Sequence, residues 1–452
     1  MNLDQVLDAL RRSPEFMANV TAWRKVPARD AVFGPFPETL DPRLTDVLRA
    51  KGILRLYSHQ AEAIREILGG RHTVVVTPTA SGKTLCYNLP VLQSVLGNPE
   101  SRSLYLFPTK ALSQDQVDEL HDIVERLGVD IKTFTFDGDT PASARKAIRS
   151  AGHIVVTNPD MLHQGVLPHH TGWVKLFENL QYVVIDEVHS YRGVFGSHLA
   201  NVIRRLKRIC TFYGSRPRFI GCSATIANPK ELFERLIEEE AVLVDNNGAP
   251  RGEKHFIFYN PPVVNPELGI WKSSIKEAQS IARQFLAAGV QTIVFVRSRL
   301  RVEILLTYLR ETMQSLKRSA NRIRGYRGGY LPNQRREIER GLRDWSIQCV
   351  VSTNALELGI DIGQLSAVVM AGYPGTIAST WQQAGRAGRR ESVSVAVLVA
   401  SSAPLDQYVV NHHAYFFDSP SENGIVDPDN LILLTSHLKC AAFGLPFREG
   451  ER

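Results

Sequence analysis

Cysteine is scarce in this chain of 452 residues, and the five present, Cys86, Cys210, Cys222, Cys349 and Cys440, include no close pair. That spacing excludes both a disulfide framework and a zinc-ligand pattern, and leaves the cysteines as small apolar residues for the interior. Long apolar runs are missing too: none approaches the roughly 20 residues that a membrane span requires. The opening MNLDQVLDALRRSPEF lacks the apolar segment of a secretion signal, so a cytoplasmic protein with no membrane partner is expected. Short-period repeats and low-complexity tracts are absent as well.

What is present has a globular balance, 44% apolar and 22% charged. The length exceeds what one core comfortably fills, so two or three domains are expected. Lys and Arg number 53 against 46 Asp and Glu, a net charge of +7. Such an excess is compatible with a polyanionic partner, although many basic proteins bind no nucleic acid.

From about residue 51 to 245 the runs HTVVVT, SLYLF, HIVVT, YVVID and RFIGC recur, with amphipathic stretches between several of them. This alternation predicts a parallel sheet wrapped by helices. The stretch DNNGAPRGEK reads as a linker, taken as residues 246–256. TIVFV, IQCVVST, SAVVMAG and SVAVLVAS then restart the rhythm, predicting a second α/β domain over 257–405 and a cleft between the two. Residues 1–50, with an amphipathic helix and a Pro-rich crossing, form an N-terminal extension expected to pack on the first domain. Residues 406–452 form a C-terminal helical extension.

In TVVVTPTASGKTLCYNL, Gly82, Lys83 and Thr84 follow an apolar run and open a helical one, the context a phosphate-binding loop demands. Backbone N–H groups at the helix start would hold phosphate oxygens, Lys83 would neutralise the β and γ phosphates of ATP, and the Thr84 hydroxyl would ligate Mg2+. Thr77 stands where the loop pattern has its first glycine, and an ordinary Gly-Lys-Thr turn is the competing reading. In YVVIDEVHSYRG, Asp186 and Glu187 close a buried run. Alone they would pass for a solvated strand end; beside a phosphate loop, Asp186 becomes a second metal ligand and Glu187 the group that polarises the attacking water. Adjacent residues on an extended end point apart, which divides those tasks. His189 either relays the nucleotide state to a nearby polar segment or faces solvent.

TASGKT, DEVH, SAT (Ser223 to Thr225) and QQAGRAGR (Gln382 to Arg389), in that order, resemble the ATPase motifs of superfamily-two helicases of the DEAD/DEAH type over about residues 55–400. The resemblance implies two tandem RecA-like parallel-sheet domains with an ATP cleft between them. It implies a catalytic set of Lys83, Asp186, Glu187, Gln382, Arg386 and Arg389, the last three facing ATP across the cleft. ATP contacts would come from Tyr57, Gln60, Thr79, Ser81, Gly82, Lys83, Thr84 and Asp361, with Gln60 on the adenine edge and Asp361 near the ribose; for Tyr57, plain core packing is the equal alternative. Ser223 and Thr225 would couple hydrolysis to domain movement, with His189. Independently of any family, an arginine from a second domain stabilises a transferred phosphoryl group only in the closed cleft, so hydrolysis becomes linked to closure.

For the polymer track, Thr109, Lys110 and Thr157 in the first domain, and Arg297, Ser298, Arg327 and Thr353 in the second, sit where the resemblance puts strand contacts. Contacts of that kind position a strand without reading it; each is also open to a reading as an ordinary loop residue. In HLANVIRRLKRI the basic residues fall opposite an apolar face, and a solvated outer surface accounts for them.

DEVHSYRGVFGSHLANVIRRL, YRGGYLPNQRREIE, APLDQYVVNHHAYFF and PDNLILLTSHLKCAAFGLPF narrow the resemblance to the bacterial mitomycin-repair helicases, with RecQ-like kinship. That implies an ATP- and Mg2+-dependent, 3′ to 5′ enzyme on single-stranded or tailed DNA in repair. Such proteins continue into a cysteine-rich metal-binding domain, so a missing C-terminal region or a protein partner supplying it is expected. The interval from Gly363 to Trp381 leaves little room for a strand-splitting hairpin, which shifts unwinding to the flanks or to that absent region. An RNA-directed helicase is the alternative, since a 2′-hydroxyl contact is not legible; so is an ATP-gated nucleic-acid-binding module that needs a partner for unwinding.

Overall fold

The structure, a computed structural model, describes residues 2–358, 362–363, 365–388 and 392–451. Two compact units emerge. The first holds Val32–Ala249 and the chain from Asn423 onward; the second holds the chain up to Ala31 and Pro250–Glu422.

The first unit is built on seven parallel strands in the order Val242–Val244, Thr73–Val76, Arg218–Ser223, Leu180–Ile185, Arg102–Leu106, Ile154–Thr157 and Thr133–Thr135. Every residue of Thr73–Val76, Arg102–Leu106 and Ile154–Thr157 is buried. Helices cover both faces, which is why these strands read as unbroken apolar runs. The five runs expected from the sequence are all strands of this sheet; the two it did not show, Thr133–Thr135 and Val242–Val244, are three-residue edges. Leu180–Ile185 lies at the centre, beside Arg218–Ser223, which in turn pairs with Thr73–Val76. The segments carrying ASGKT, SAT and DEVH therefore leave three consecutive strands at the same sheet edge, where open α/β sheets bind ligands.

The second unit has seven strands in the order Val20–Val26, Lys254–Tyr259, Ser394–Val399, Ala367–Ala371, Thr292–Val296, Cys349–Ser352 and Ile323–Tyr326, parallel except for the first. Two expectations need correction here. Residues up to Ala31 join this unit, not the first: helix Leu3–Arg12 buries Val6, Leu7 and Leu10 with Ile281 and Phe285. An amphipathic pattern shows that a face needs cover, not which sheet supplies it. The linker also ends earlier than expected, because all six residues of Lys254–Tyr259 are buried in the sheet.

The tail changes unit too. Helices Pro404–Asn411 and His413–Phe417 stay with the second unit, where Phe416 and Phe417 pack on Phe256 and Trp381. Beyond Asn423 the chain lies on the first unit: Gly193 N–H donates to Ile425 O (2.7 Å), and the Asn228 side-chain amide exchanges two hydrogen bonds with Gly424 (2.7 and 3.0 Å). The basic face of helix Gly193–Phe212 is consequently not the solvated surface expected. Arg204 pairs with Glu238 and Asp429, Arg208 with Glu451, and Arg205, 4% exposed, meets His163. Cys86, Cys210, Cys222 and Cys349 are buried and Cys440 partly so, all free thiols. Among the described residues no helix is long and apolar enough to cross a membrane.

Candidate functional site

The loop after Thr73–Val76 turns through two left-handed residues, Ala80 (φ 65°) and Gly82 (φ 77°). A Cβ on Gly82 would stand 2.6 Å from Gln60 Nε2, so the turn and the close approach both require glycine. Gln60 accepts from Tyr57 N–H (2.9 Å) and donates to Gly82 O (2.9 Å). His59, fully buried, accepts from Gly248 N–H at Nδ1 (3.1 Å), which leaves Nε2 to donate to Ser81 O (3.1 Å). The sequence reading missed His59; its place beside Gln60 was the one available signal. Thr77, in the position of the pattern's first glycine, is buried with its hydroxyl 2.6 Å from that of Ser81.

Lys83 Nζ donates to Thr77 O (2.7 Å) and Pro78 O (3.0 Å), spanning the loop it belongs to. Thr79, in the same loop, is partly buried. Tyr57 stacks between Phe33 (centroids 5.6 Å) and His59 (6.0 Å), which gives it the packing contact left open by the sequence. Thr84 Oγ1 donates to Gln116 Oε1 (2.9 Å), and the Tyr87 hydroxyl lies 3.1 Å from the same oxygen and 3.4 Å from Asp186 Oδ2. Gln116 and Tyr87 thus join Thr84 to Asp186; neither was singled out from the sequence.

Asp186 is buried, and burial together with the neighbouring Glu187 charge pushes its carboxyl up to about 7. Its Oδ1 accepts from Glu187 N–H (2.8 Å). Glu187 sits in the left-handed region at φ 52°, a conformation a non-glycine residue holds at a cost of roughly 1–3 kcal/mol and one that concentrates at functional sites. His189 is buried, which corrects the solvent-facing alternative. Its Nδ1 accepts from Ala224 N–H (3.1 Å), and burial holds the ring below its ordinary pKa. Nδ1 also lies 3.5 Å from Glu187 Oε2. Ser223 donates to Ala224 O (2.7 Å), while Thr225 is exposed.

In the second unit, helix Ile377–Ala384 is capped by the Glu422 carboxylate, which accepts from the N–H groups of Ile377 (2.6 Å) and Ala378 (3.1 Å). Gln382 and Arg386 are buried. Arg386 donates to Glu357 O (2.6 and 3.2 Å), and Gln383 to the Glu357 carboxylate (2.9 Å). Among the bonds of Arg386, those to Glu357 O tie its buried guanidinium to a backbone carbonyl, as a buried cation must find acceptors for its donors. Asp361 and Arg389 lie outside the described residues.

The expected strand contacts divide. Thr109, Ser298 and Thr353 each cap a helical turn that follows a strand, accepting from Leu112 N–H (3.5 Å), Arg301 N–H (3.3 Å) and Ala355 N–H (3.4 Å). Lys110, exposed, pairs with Asp139 (2.7 Å). Thr157 is a correction, buried with its hydroxyl donated to Phe136 O (2.6 Å). Arg297 donates to Tyr373 O (2.9 Å) and to the fully buried Asp406. Arg327 is drawn to Glu303 (2.7 Å) over the Tyr330 ring. In each case a partner distant in sequence takes the donor.

Residues 57–232 match the DEAD/DEAH box helicase family and residues 277–391 the helicase conserved C-terminal domain. The "uncharacterized ATP-dependent helicase YprA" of Bacillus subtilis (strain 168) is 60% identical over 433 residues, 96% of this chain and 58% of the relative. ATP-dependent helicase hrq1 of Schizosaccharomyces pombe is 38% identical over 456 residues, 98% of this chain and 43% of the relative. A crystal structure of the DUF1998 helicase MrfA bound to DNA and AMPPNP superposes with a TM-score of 0.95 at 57% identity, covering 100% of this chain and 62% of that one. The chain thus spans about half of the length of these relatives. The chain joins a DEAD/DEAH box helicase domain to a helicase conserved C-terminal domain, the two-domain arrangement of a superfamily-two helicase, and is similar to YprA and MrfA over nearly its whole length.

Proposed function

We propose that this chain is the motor of an ATP-dependent DNA helicase that moves 3′ to 5′ along a single strand in DNA repair, working in the cytoplasm. The observation that carries the reading is the meeting of Lys83, Thr84, Asp186, Glu187 and His189 at the ends of neighbouring parallel strands of one unit. Phosphate oxygens would take the place of the Thr77 and Pro78 carbonyls on Lys83, with the loop and helix N–H groups beneath them. Gln60 and Tyr57 would border the adenine, with Thr79, Ser81 and Gly82 along the phosphates and Asp361 at the ribose. The hydroxyl of Thr84 and the carboxylate of Asp186 fit a hard divalent cation, and the upward push that burial and the Glu187 charge give the Asp186 carboxyl is one that a bound cation would relieve. Mg2+ held there supplies charge neutralisation for the β and γ phosphates.

Glu187 would accept a proton from the attacking water, while Gln382, Arg386 and Arg389 would bring donors to the phosphates from the second unit. For Arg386 that role requires exchange of its bond to Glu357 O. His189 would report the state of Glu187 to Ala224 and the SAT segment. Thr109, Ser298 and Thr353, at helix starts, and Lys110 would hold the phosphates of the strand. The binding of DNA and AMPPNP by the similar MrfA supports this reading. A protein partner or a C-terminal metal-binding domain would supply strand separation.

The test is ATP hydrolysis by the chain with single-stranded DNA, with RNA and alone. Stimulation by DNA of about tenfold or more is expected; none by any nucleic acid would defeat the motor reading, and stimulation by RNA alone would change the substrate. Glu187→Gln should keep ATP binding and lose roughly 10²–10⁴-fold in turnover, the range for removing a general base.

A further inference from the structure

Lys254 opens strand Lys254–Tyr259 with its side chain buried, 7% exposed. Among the described residues its ammonium meets two backbone carbonyls, Ala384 O and Ala387 O (2.8 Å), and no carboxylate. Glu253 next to it is turned to Lys25 (2.7 Å) and His255 (3.1 Å). Burial, and then the Arg251 charge, bring the ammonium down to about 7. A buried cation without a counter-charge is costly to keep where a methionine would fill the same space.

The two carbonyls explain its presence. Ala384 ends helix Ile377–Ala384, and Ala387 follows Arg386. A helix end leaves carbonyls unpaired and carries partial negative charge, so an ammonium satisfies both needs at once. The same short turn is pinned from two other directions. Gly388 N–H donates to Leu365 O (3.0 Å), and Gly388, at φ 81°, packs so closely that a Cβ would stand 2.2 Å from Ser394 Oγ. From between these anchors Arg386 departs towards Glu357 O.

We propose that Lys254 is a positioning residue for the arginine turn Gly385–Gly388, setting the direction in which Arg386 presents its guanidinium. Lys254 touches no substrate and acts through the turn. The inference rests on the helicase reading, in which that turn serves the phosphates of ATP, and adds a residue from outside the family's motifs.

The experiment compares the parent chain with Lys254→Met and Lys254→Arg, reading kcat and KM for ATP in the presence of single-stranded DNA, and the melting temperature. Lys254→Met should lower kcat by about tenfold or more while KM stays within about twofold, the signature of an interaction used in the transition state and not in ground-state binding. Lys254→Arg, a longer cation that can still donate to both carbonyls, should fall between parent and methionine variant at unchanged KM. If the methionine variant is insoluble, the arginine variant decides in the same way: reduced kcat supports the role, parental kcat overturns it. A folded methionine variant with parental kcat, or one that loses only melting temperature, would also overturn it. Absence of hydrolysis in the parent would bring down the helicase reading and this inference with it, whereas hydrolysis in the parent unchanged by Lys254→Met sinks the inference alone.

Discussion

The N–H of Ala224 donates to His189 Nδ1 across 3.1 Å, joining the end of strand Arg218–Ser223 to the turn that follows Leu180–Ile185. The bond ties the segment after the acidic pair to the segment expected to couple hydrolysis to movement. His189→Ala leaves a buried N–H without its acceptor, a loss of about 1–3 kcal/mol. A lower melting temperature and weaker stimulation of hydrolysis by DNA are expected. His189→Asn, whose Oδ1 can accept the same N–H, should regain most of the stability; equal melting of the alanine variant and the parent would show that the bond contributes nothing.

Gly82→Ala places a methyl group against Gln60 Nε2 at a left-handed position. Backbone strain of roughly 1–2 kcal/mol is added to that clash, so the loop should open and ATP affinity should fall by about tenfold or more. Equilibrium binding of a fluorescent ATP analogue measures this, with Gly214→Ala, at a positive-φ turn with open space around it, as the control for strain alone.

Arg297 and Lys110 should behave differently despite their similar places after strands. Arg297 neutralises Asp406, which also accepts from Tyr373 N–H (3.1 Å) and from the N–H and hydroxyl of Ser401 (2.9 and 2.7 Å). Removing one partner of a buried pair costs about 3–5 kcal/mol, less where the arginine is part-exposed as here. Arg297→Ala is expected to lower the melting temperature by several degrees. Lys110→Ala should leave melting unchanged and reduce the salt dependence of DNA binding by about one unit of slope. Isothermal binding at several salt concentrations, beside melting curves, separates the two.

A cluster of imidazoles gives the first unit an acid-labile seam. His163, His198 and His437 lie with ring centroids 4.8–5.1 Å apart, and His198 Nδ1 meets His437 Nε2 at 3.0 Å. Asp160, Arg205 and Cys440 are the other ionisable groups around them. Burial, helped by Arg205 and the neighbouring rings, brings His163 down to about 4 and His437 to about 3, and lowers His198. Because the folded values lie below the unfolded value of 6.5, the stabilising contribution is fully present above pH 6.5. It is lost as the pH falls from there towards 4, where the unfolded chain binds protons that the folded cluster refuses. Hydrogen exchange in helix Leu431–Gly444, corrected for intrinsic rates, should therefore show more frequent opening at pH 5 than at pH 7. His437→Gln should flatten that difference; an unchanged profile would show that the seam does not titrate there.

Much of the candidate site was legible because it is local. A phosphate loop needs glycine where the backbone turns left-handed and a lysine and hydroxyl at the next helix start, all within a few residues. A strand covered on both faces must be apolar throughout, which exposed the sheet and placed Asp186 and Glu187 at its edge. The short edge strands stayed hidden, since three residues carry too little pattern to distinguish from a loop.

The sequence by itself determined the α/β rhythm, the order of the motifs along the chain, and hence which chemistries meet at the strand ends of the first sheet. Tertiary structure alone decided which polar groups remain available for that chemistry. Thr157 gives its hydroxyl to Phe136 O, 21 residues away; Arg297 is held by Asp406 at a separation of 109, and Arg208 by Glu451 at 243. Local pattern reports backbone period and which face needs cover, but a buried donor must find an acceptor wherever the fold brings one, and that partner is not written beside it in the chain.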